Sequence, residues 1–243
     1  MKGVILSVDP AARLVDLSHE VPPQGVLEAR FLLSNAFRFF PRATIFVAVV
    51  DPGVGTDRAV VAVETDRHVF LAPDNGLLGF LEDEGAVRRA FRITNRAYFL
   101  EPVSSTFHGR DIFAPAAGHL SRGVELARLG EETAALARIE APAPRVAAGG
   151  AILGRVAAID RFGNLITDVP AAGIEPGGRI EIRVGKTVVR RLARTYAEGA
   201  NNGKPFAIVG STGTLEISVN RGSAREAIGA EVGDPVRVRG GRR

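Results

Sequence analysis

Apolar positions change their spacing along this chain, and the change divides it in two. In "PPQGVLEARFLLSNAFRFF" they recur at helical spacing (Val26, Phe31, Leu32, Ala36, Phe39, Phe40), which predicts a helix. "ATIFVAVV" is a near-continuous apolar run rich in β-branched residues, the pattern of a strand covered on both faces. "AVVAVET", "HVFLAP" and "VRRAFRIT" predict further strands, "NGLLGFLEDEG" a short helix, and "GRDIFAPAAGHLSRG" a helix stopped at Gly123. At the front, "MKGVILSV" reads as the end of an amphipathic helix whose beginning is missing, and "ARLVDLSH" as a strand. Alternating strands and helices predict an α/β domain over residues 1–140 with a central, mostly parallel sheet.

After "IEAPAPRVAAGG" the texture changes. This Pro/Ala/Gly stretch reads as a linker over residues 141–149. Beyond it, "AILGRVAAID", "GNLITDV", "GRIEIRVG", "KTVVRRLART", "PFAIVGS", "TLEISVN" and "DPVRVRG" alternate in short runs separated by turn residues, with one helical piece at "GSAREAIGA". That spacing predicts a smaller all-β, barrel-like domain over residues 150–243.

Composition narrows the chemistry. With no cysteine among 243 residues there is no disulfide, thiolate metal site or cysteine nucleophile, and a cytoplasmic location is the default. No run reaches the roughly 18 apolar residues of a membrane span. The net charge is +4, and lysine stands only at positions 2, 186 and 204, so the positive charge is almost all arginine. It is spread along the chain except in the tail "VRVRGGRR", which argues against a nucleic-acid partner. His19, His68 and His119 have no acidic neighbours at metal-ligand spacing, so no metal is expected.

Five stretches hold candidate chemistry. "VVDPGVGTDR" puts Asp51 at the end of a strand, with Arg58 closing the loop. It lacks the Gly-Lys-Ser/Thr of a phosphate loop and the spacing of a dinucleotide loop. It reads equally as a type II turn capped by Asp51, or as a ligand site at a strand's carboxyl end. In "STFHGRDIF", His108 stands where a helix N-terminus favours anions, although a cap or a buried histidine explains it too. Arg110 and Asp111 read as a structural ion pair, and Asp74-Asn75-Gly76 as a structural turn. "IDRFGNLITD" sets Asp160, Phe162 and Asn164 within five residues: an aromatic to stack, an amide to read an edge, and a carboxylate to hold an amine. That set suits a nucleoside, while a core Phe and an ordinary turn account for it as well. "VGSTGTLEISVNRGSA" offers Ser211 and Thr212 on a glycine-flanked turn able to bind a carboxylate.

Taken in order, "MKGVIL", "VDLSHEVPPQ", "VVDPGVGTDR", "APDNGLL", "TFHGRDIFAPAAGHL", "IDRFGNLITD" and "GSTGTLEISVNRGSA" resemble the S-adenosylmethionine hydroxide adenosyltransferase family, hydrolases related to the fluorinating and chlorinating enzymes. The likeness covers essentially the whole chain. It implies cleavage of S-adenosylmethionine by water to adenosine and methionine, without a cofactor. It also implies a homotrimer with active sites between subunits. The family's Asp-Arg-His set falls on Asp51, Arg58 and His108, the pattern of the hydrolase branch. Adenine contacts carry over to Phe162, Asn164 and Tyr196, with the backbone around Arg221 near the adenine edge. Asp160 matches the residue that holds the methionine amino group, and Ser211 and Thr212 the carboxylate turn. At Thr212 the halogenating relatives carry arginine instead.

One departure bears on activity. Family members begin with a strand and an acidic turn of the form "LTDFG…D", ahead of the Met-Lys-Gly with which this sequence opens. That segment supplies a central strand and a ribose-binding aspartate. A start codon assigned too late is the expectation, and a catalytically silent adenosine- or S-adenosylmethionine-binding protein is the alternative reading.

Overall fold

A computed structural model describes residues 1–140, 143–172, 174, 180–200 and 203–240. The last three residues of the arginine-rich tail, and the first two of the stretch read as a linker, lie outside these. The chain forms two compact units, Met1–Glu140 and Ala141–Arg243. Among the described residues no helix is long and apolar enough to cross a membrane.

The first unit is built on four strands: β1 (Ile45–Val47), β2 (Val60–Glu64), β3 (Val69–Pro73) and β4 (Arg89–Arg92), in the order β1-β3-β2-β4. This sheet corrects the expectation of a mostly parallel one. β1 runs parallel to β3, but β2 is antiparallel to both β3 and β4. The reason lies between β2 and β3: four residues, Thr65 to His68, make a tight turn in which the Thr65 hydroxyl accepts the His68 N–H. So short a link closes a hairpin and cannot carry a parallel crossover.

Both sheet faces are covered. Phe46, Val61, Val63, Phe70 and Ala72 pack with helices α2 (Val26–Ala36) and α3 (Gly79–Asp83). Val60, Ala62, Leu71 and Phe91 face α1 (Lys2–Val8) and α4 (Ala114–Ser121). In α2 the buried positions are Val26, Ala29 and Leu33, one stripe of the helix. α1 crosses α4 at Gly118, where a Cβ would come 2.9 Å from Val8 Cβ. "ARLVDLSH" forms no strand: Ala12 and Leu14 pack inward while Val15 and Leu17 stay exposed, so the alternation is real but no strand among the described residues pairs with it.

The second unit is a curled sheet. Its strands are β5 (Arg145–Val146), β6 (Ile152–Ile159), β7 (Leu165–Pro170), β8 (Ile180–Val184), β9 (Thr187–Val189), β10 (Leu192–Ala193), β11 (Phe206–Val209), β12 (Thr214–Ser218) and β13 (Pro235–Gly240). β5 lies within the stretch read as a linker and pairs with β6. The main path runs β10-β11-β12-β7-β6-β13-β8-β9, and its pairings are antiparallel except β10 with β11. The two ends of this path are joined by Arg190 and Arg191 alone, too short a link to bridge a flat sheet. Strands from both ends therefore share one core, which includes Val189, Leu192, Ile182, Leu215 and Ile217. Two short helices, α5 (Tyr196–Gly199) and α6 (Ala224–Ile228), complete the unit.

Candidate active site

In the first unit, the run of β1 ends and the loop Asp51–Arg58 turns back on itself. The Val54 N–H donates to the Asp51 carbonyl at 3.3 Å, and the Thr56 N–H and hydroxyl donate to the Gly53 carbonyl at 3.1 and 2.7 Å. Asn75, just beyond the end of β3, braces the loop, its Nδ2 donating to the Val50 carbonyl at 2.9 Å. Gly55, at φ +78°, packs against the Ser105 carbonyl where a Cβ would clash. That close approach brings the loop to the segment carrying His108.

Three side chains meet there. Arg58 Nε donates to Asp51 Oδ1 at 2.8 Å, and Nη2 donates to Asp51 Oδ2, a bidentate pair. Both side chains are largely out of water, with 6% of Asp51 and 9% of Arg58 exposed. Arg58 Nη2 also lies 2.9 Å from His108 Nδ1, and the guanidinium carbon lies 5.9 Å from the centre of the Phe113 ring. A guanidinium has no acceptor, so His108 Nδ1 accepts and the ring carries its hydrogen on Nε2. Burial, then the positive charge of Arg58, holds the His108 pKa below the ordinary histidine range, so the ring is neutral near pH 7.

His108 precedes a wide π-helical turn, Gly109–Phe113, where a regular helix start is expected from sequence. Such turns often mark functional sites. Asp111 within it is fully buried, accepts from Arg110 Nε at 2.6 Å and from the Ser104 N–H at 2.8 Å, and has its pKa lowered, first by Arg110. This pair pins the His108 segment in place.

The second unit gathers the other candidates. Asp160 Oδ1 accepts the N–H groups of Phe162 and Asn164, each at 2.9 Å, and Oδ2 accepts from Asn164 Nδ2 at 2.9 Å. Asp160 and Asn164 thus shape one turn, from which Phe162 projects 70% exposed. Gly163, at φ +80°, packs against Ser223, and its carbonyl accepts the Arg225 N–H, which draws the segment after β12 alongside. Arg221 in that segment is exposed, at φ +56°. Ser211 and Thr212 occupy the β11–β12 turn, closed by the Gly210 N–H donating to the Thr214 carbonyl at 2.9 Å. The Thr212 and Thr214 hydroxyls are 2.8 Å apart. Tyr196 opens α5, and its pKa is pushed up to about 12 by burial, then by Glu216, with a contribution from Asp160.

Two family models match the chain. The family model described as SAM hydroxide adenosyltransferase N-terminal domain matches residues 1–130, and the C-terminal domain model matches residues 154–237. The chain belongs to the S-adenosylmethionine hydroxide adenosyltransferase family. Among its relatives in that family, the (R)-S-adenosyl-L-methionine hydrolase of Thermus thermophilus is 40% identical, the match covering 98% of this chain and 92% of that protein. A fluorinase from Actinoplanes is 26% identical over 90% of this chain and 85% of its own length. An uncharacterized conserved protein from Thermotoga maritima has a crystal structure that superposes with a TM-score of 0.89 at 34% identity, covering 98% of this chain and 93% of that one.

In this member of the family, the structure brings Asp51, Arg58 and His108 into one hydrogen-bonded chain. It joins Asp160 to Asn164 and sets Tyr196 within reach of the Asp160 charge. Sequence reading missed Glu216, a carboxylate 8% exposed that accepts from the Tyr196 hydroxyl at 2.5 Å. Its signal was its alternation in "TLEISVN", which gives it the strand face opposite to Leu215 and Ile217.

Proposed function

We propose that this chain hydrolyses S-adenosylmethionine to adenosine and methionine, with Asp51, Arg58 and His108 orienting the attacking water. The observation that carries this reading is the continuous chain Asp51–Arg58–His108, which leaves a neutral imidazole with its hydrogen on Nε2. Relatives named as hydrolases for this substrate, matched over nearly the whole chain, support it.

The chemistry suits such a site. The water oxygen forms a bond to the ribose C5′ while the C5′–S bond breaks, and its electron pair returns to sulfur. The sulfonium leaves as a neutral thioether, so no general acid and no cofactor are needed. What the site supplies is alignment and partial removal of water. Asp51 already accepts two N–H bonds from Arg58, so both of its oxygens are engaged. Its main task is to hold Arg58 in the plane that meets His108, and the water's proton passes on to solvent. In the second unit, Phe162, Asn164, Tyr196 and the Arg221 backbone receive adenine, Asp160 the methionine amine, and Ser211 and Thr212 its carboxylate.

We infer a cytoplasmic homotrimer with active sites between neighbouring subunits, the assembly that the family resemblance implies. The deciding experiment incubates the purified protein with S-adenosylmethionine and separates the products by chromatography. Adenosine and methionine in equal amounts are expected. Tight binding with no adenosine above the buffer control rejects hydrolysis in favour of a silent binding protein.

A further inference from the structure

Glu216 takes no part in the chemistry above, yet it is a nearly buried acid on a strand that lines the core of the second unit. β12 sends Leu215 and Ile217 into the main core and turns Thr214, Glu216 and Ser218 to the other face. There Glu216 stands opposite Ile208 of β11, which forms a small apolar cluster with Ala193 and Phe206. Its Oε1 accepts from the Tyr196 hydroxyl at 2.5 Å and from the Ser218 hydroxyl at 2.9 Å. The Tyr196 ring stands edge-on to Phe206, 6.3 Å between centres and 80° between planes. A tyrosine has two side-chain torsions; an edge contact on the ring and an anchor on the hydroxyl settle both. The residue nevertheless stays 47% exposed, so much of the ring remains open to a ligand.

We propose that Glu216 is a positioning residue of the ligand site: it holds the Tyr196 ring as a fixed wall for a flat, purine-sized heterocycle. The proposal rests on the adenosine reading given above. A carboxylate is a stronger acceptor for a phenol than a neutral group. A wall set before the ligand arrives avoids the entropy cost of ordering it during binding. Ser218, fully buried on the same oxygen, keeps the carboxylate from turning away.

Four variants test this: E216A, E216Q, Y196F and the double variant E216A/Y196F. Adenosine affinity is read by calorimetry, kcat and KM with S-adenosylmethionine, and folding by thermal melt. E216A and Y196F are each expected to raise the adenosine Kd and the KM about tenfold, with kcat within about twofold. The double variant is expected to be no worse than either single one, because the two act through one bond. E216Q keeps an oxygen acceptor for the phenol and is expected within about threefold of the parent. Additive losses in the double variant overturn the proposal, as does an unchanged Kd in a folded E216A. An E216Q as weak as E216A also overturns it, pointing to direct recognition of a cation by the carboxylate. If E216A does not fold, Y196F decides by the same Kd. A parent protein that binds adenosine but releases none from S-adenosylmethionine defeats the hydrolase reading and leaves the adenosine arm to judge Glu216. One that binds no adenosine overturns both.

Discussion

Arg58 Nη2 lies 2.9 Å from His108 Nδ1, and this one bond fixes which atoms of the site donate and which accept. Arg58 has only donors, so His108 is an acceptor at Nδ1 and a donor at Nε2. Asp51 meets the same guanidinium through both oxygens. The three side chains form one hydrogen-bonded chain in which each holds the next in place.

Breaking this chain at any point should therefore cost turnover more than binding. Asp51→Ala, Arg58→Ala and His108→Ala are each expected to lower kcat by about 10²–10⁴-fold, with KM changed by less than about fivefold. Steady-state kinetics on the three proteins checks this. Near-normal turnover in all three removes the assignment.

The same bond predicts an acid limb and its place. His108 must be neutral to accept from Arg58, and burial followed by the Arg58 charge holds its pKa below the ordinary histidine value of about 6.5. Activity should stay level from neutral pH downward and fall only as pH drops through that lowered value. The profile of kcat/KM against pH measures it. An acid limb centred above 6.5 contradicts a neutral, Arg58-bound His108.

His68 makes a prediction about stability instead. It is 2% exposed among Phe37, Phe46 and Phe70, with ring centres 5.3–6.2 Å away, and neither ring nitrogen has a hydrogen-bond partner among the described residues. Burial, then the charges of Arg67 and Arg42, lowers its pKa in the folded state. Between that value and the unfolded value near 6.5, the unfolded chain binds more protons, so stability falls as pH falls through this window. His68→Phe should flatten that slope and raise stability by about 1 kcal/mol, since it removes two unpaired polar atoms from an aromatic cluster. Denaturant melts at pH 7.5 and 5.5 compare the two proteins. A slope unchanged by the substitution assigns the acid sensitivity to other groups.

Much of this was legible because local physics and tertiary structure agree. β2, β3 and β4 follow their apolar runs, and Gly123 ends α4 at φ +87° as its position implied. Sheet direction was not legible from alternation alone. The four-residue link before Val69 is a hairpin, and that outweighs the α/β texture on either side of it. "ARLVDLSH" has a strand's alternation but no pairing strand among the described residues, which sequence does not disclose. The Arg58–His108 bond spans fifty positions, so no local pattern carries it; the family resemblance named its ends, and Gly55 explains how the two segments approach. Glu216 stayed hidden because an acid in a strand reads as an outward, solvated residue until Tyr196 and Ser218 are seen to cover it.

Gly55 gives that approach a direct test. At φ +78° with the Ser105 carbonyl against it, the position tolerates neither the backbone strain nor the volume of a side chain. Gly55→Ala should cost about 1–2 kcal/mol of stability and shift Arg58 relative to His108. A fall in kcat of at least about tenfold is expected, since displacement of a reacting group by about 1 Å is costly. A variant with full kcat and unchanged melting temperature shows that the loop does not depend on this contact.

Phe162 separates a ligand contact from a structural one most cleanly. At 70% exposure its ring contributes little to the core, so Phe162→Ala should leave the melting temperature nearly unchanged, within about 0.5 kcal/mol in stability. If the ring stacks on adenine, its loss removes roughly 1–3 kcal/mol of binding, close to the value of one base on one aromatic side chain. The adenosine Kd should rise about tenfold or more, while Phe162→Tyr, which keeps a stacking face, should remain near the parent. Calorimetric titration with adenosine reads both. Equal affinity in Phe162→Ala and the parent places adenine elsewhere on the second unit, and a large loss of stability instead makes Phe162 part of the turn that Asp160 holds.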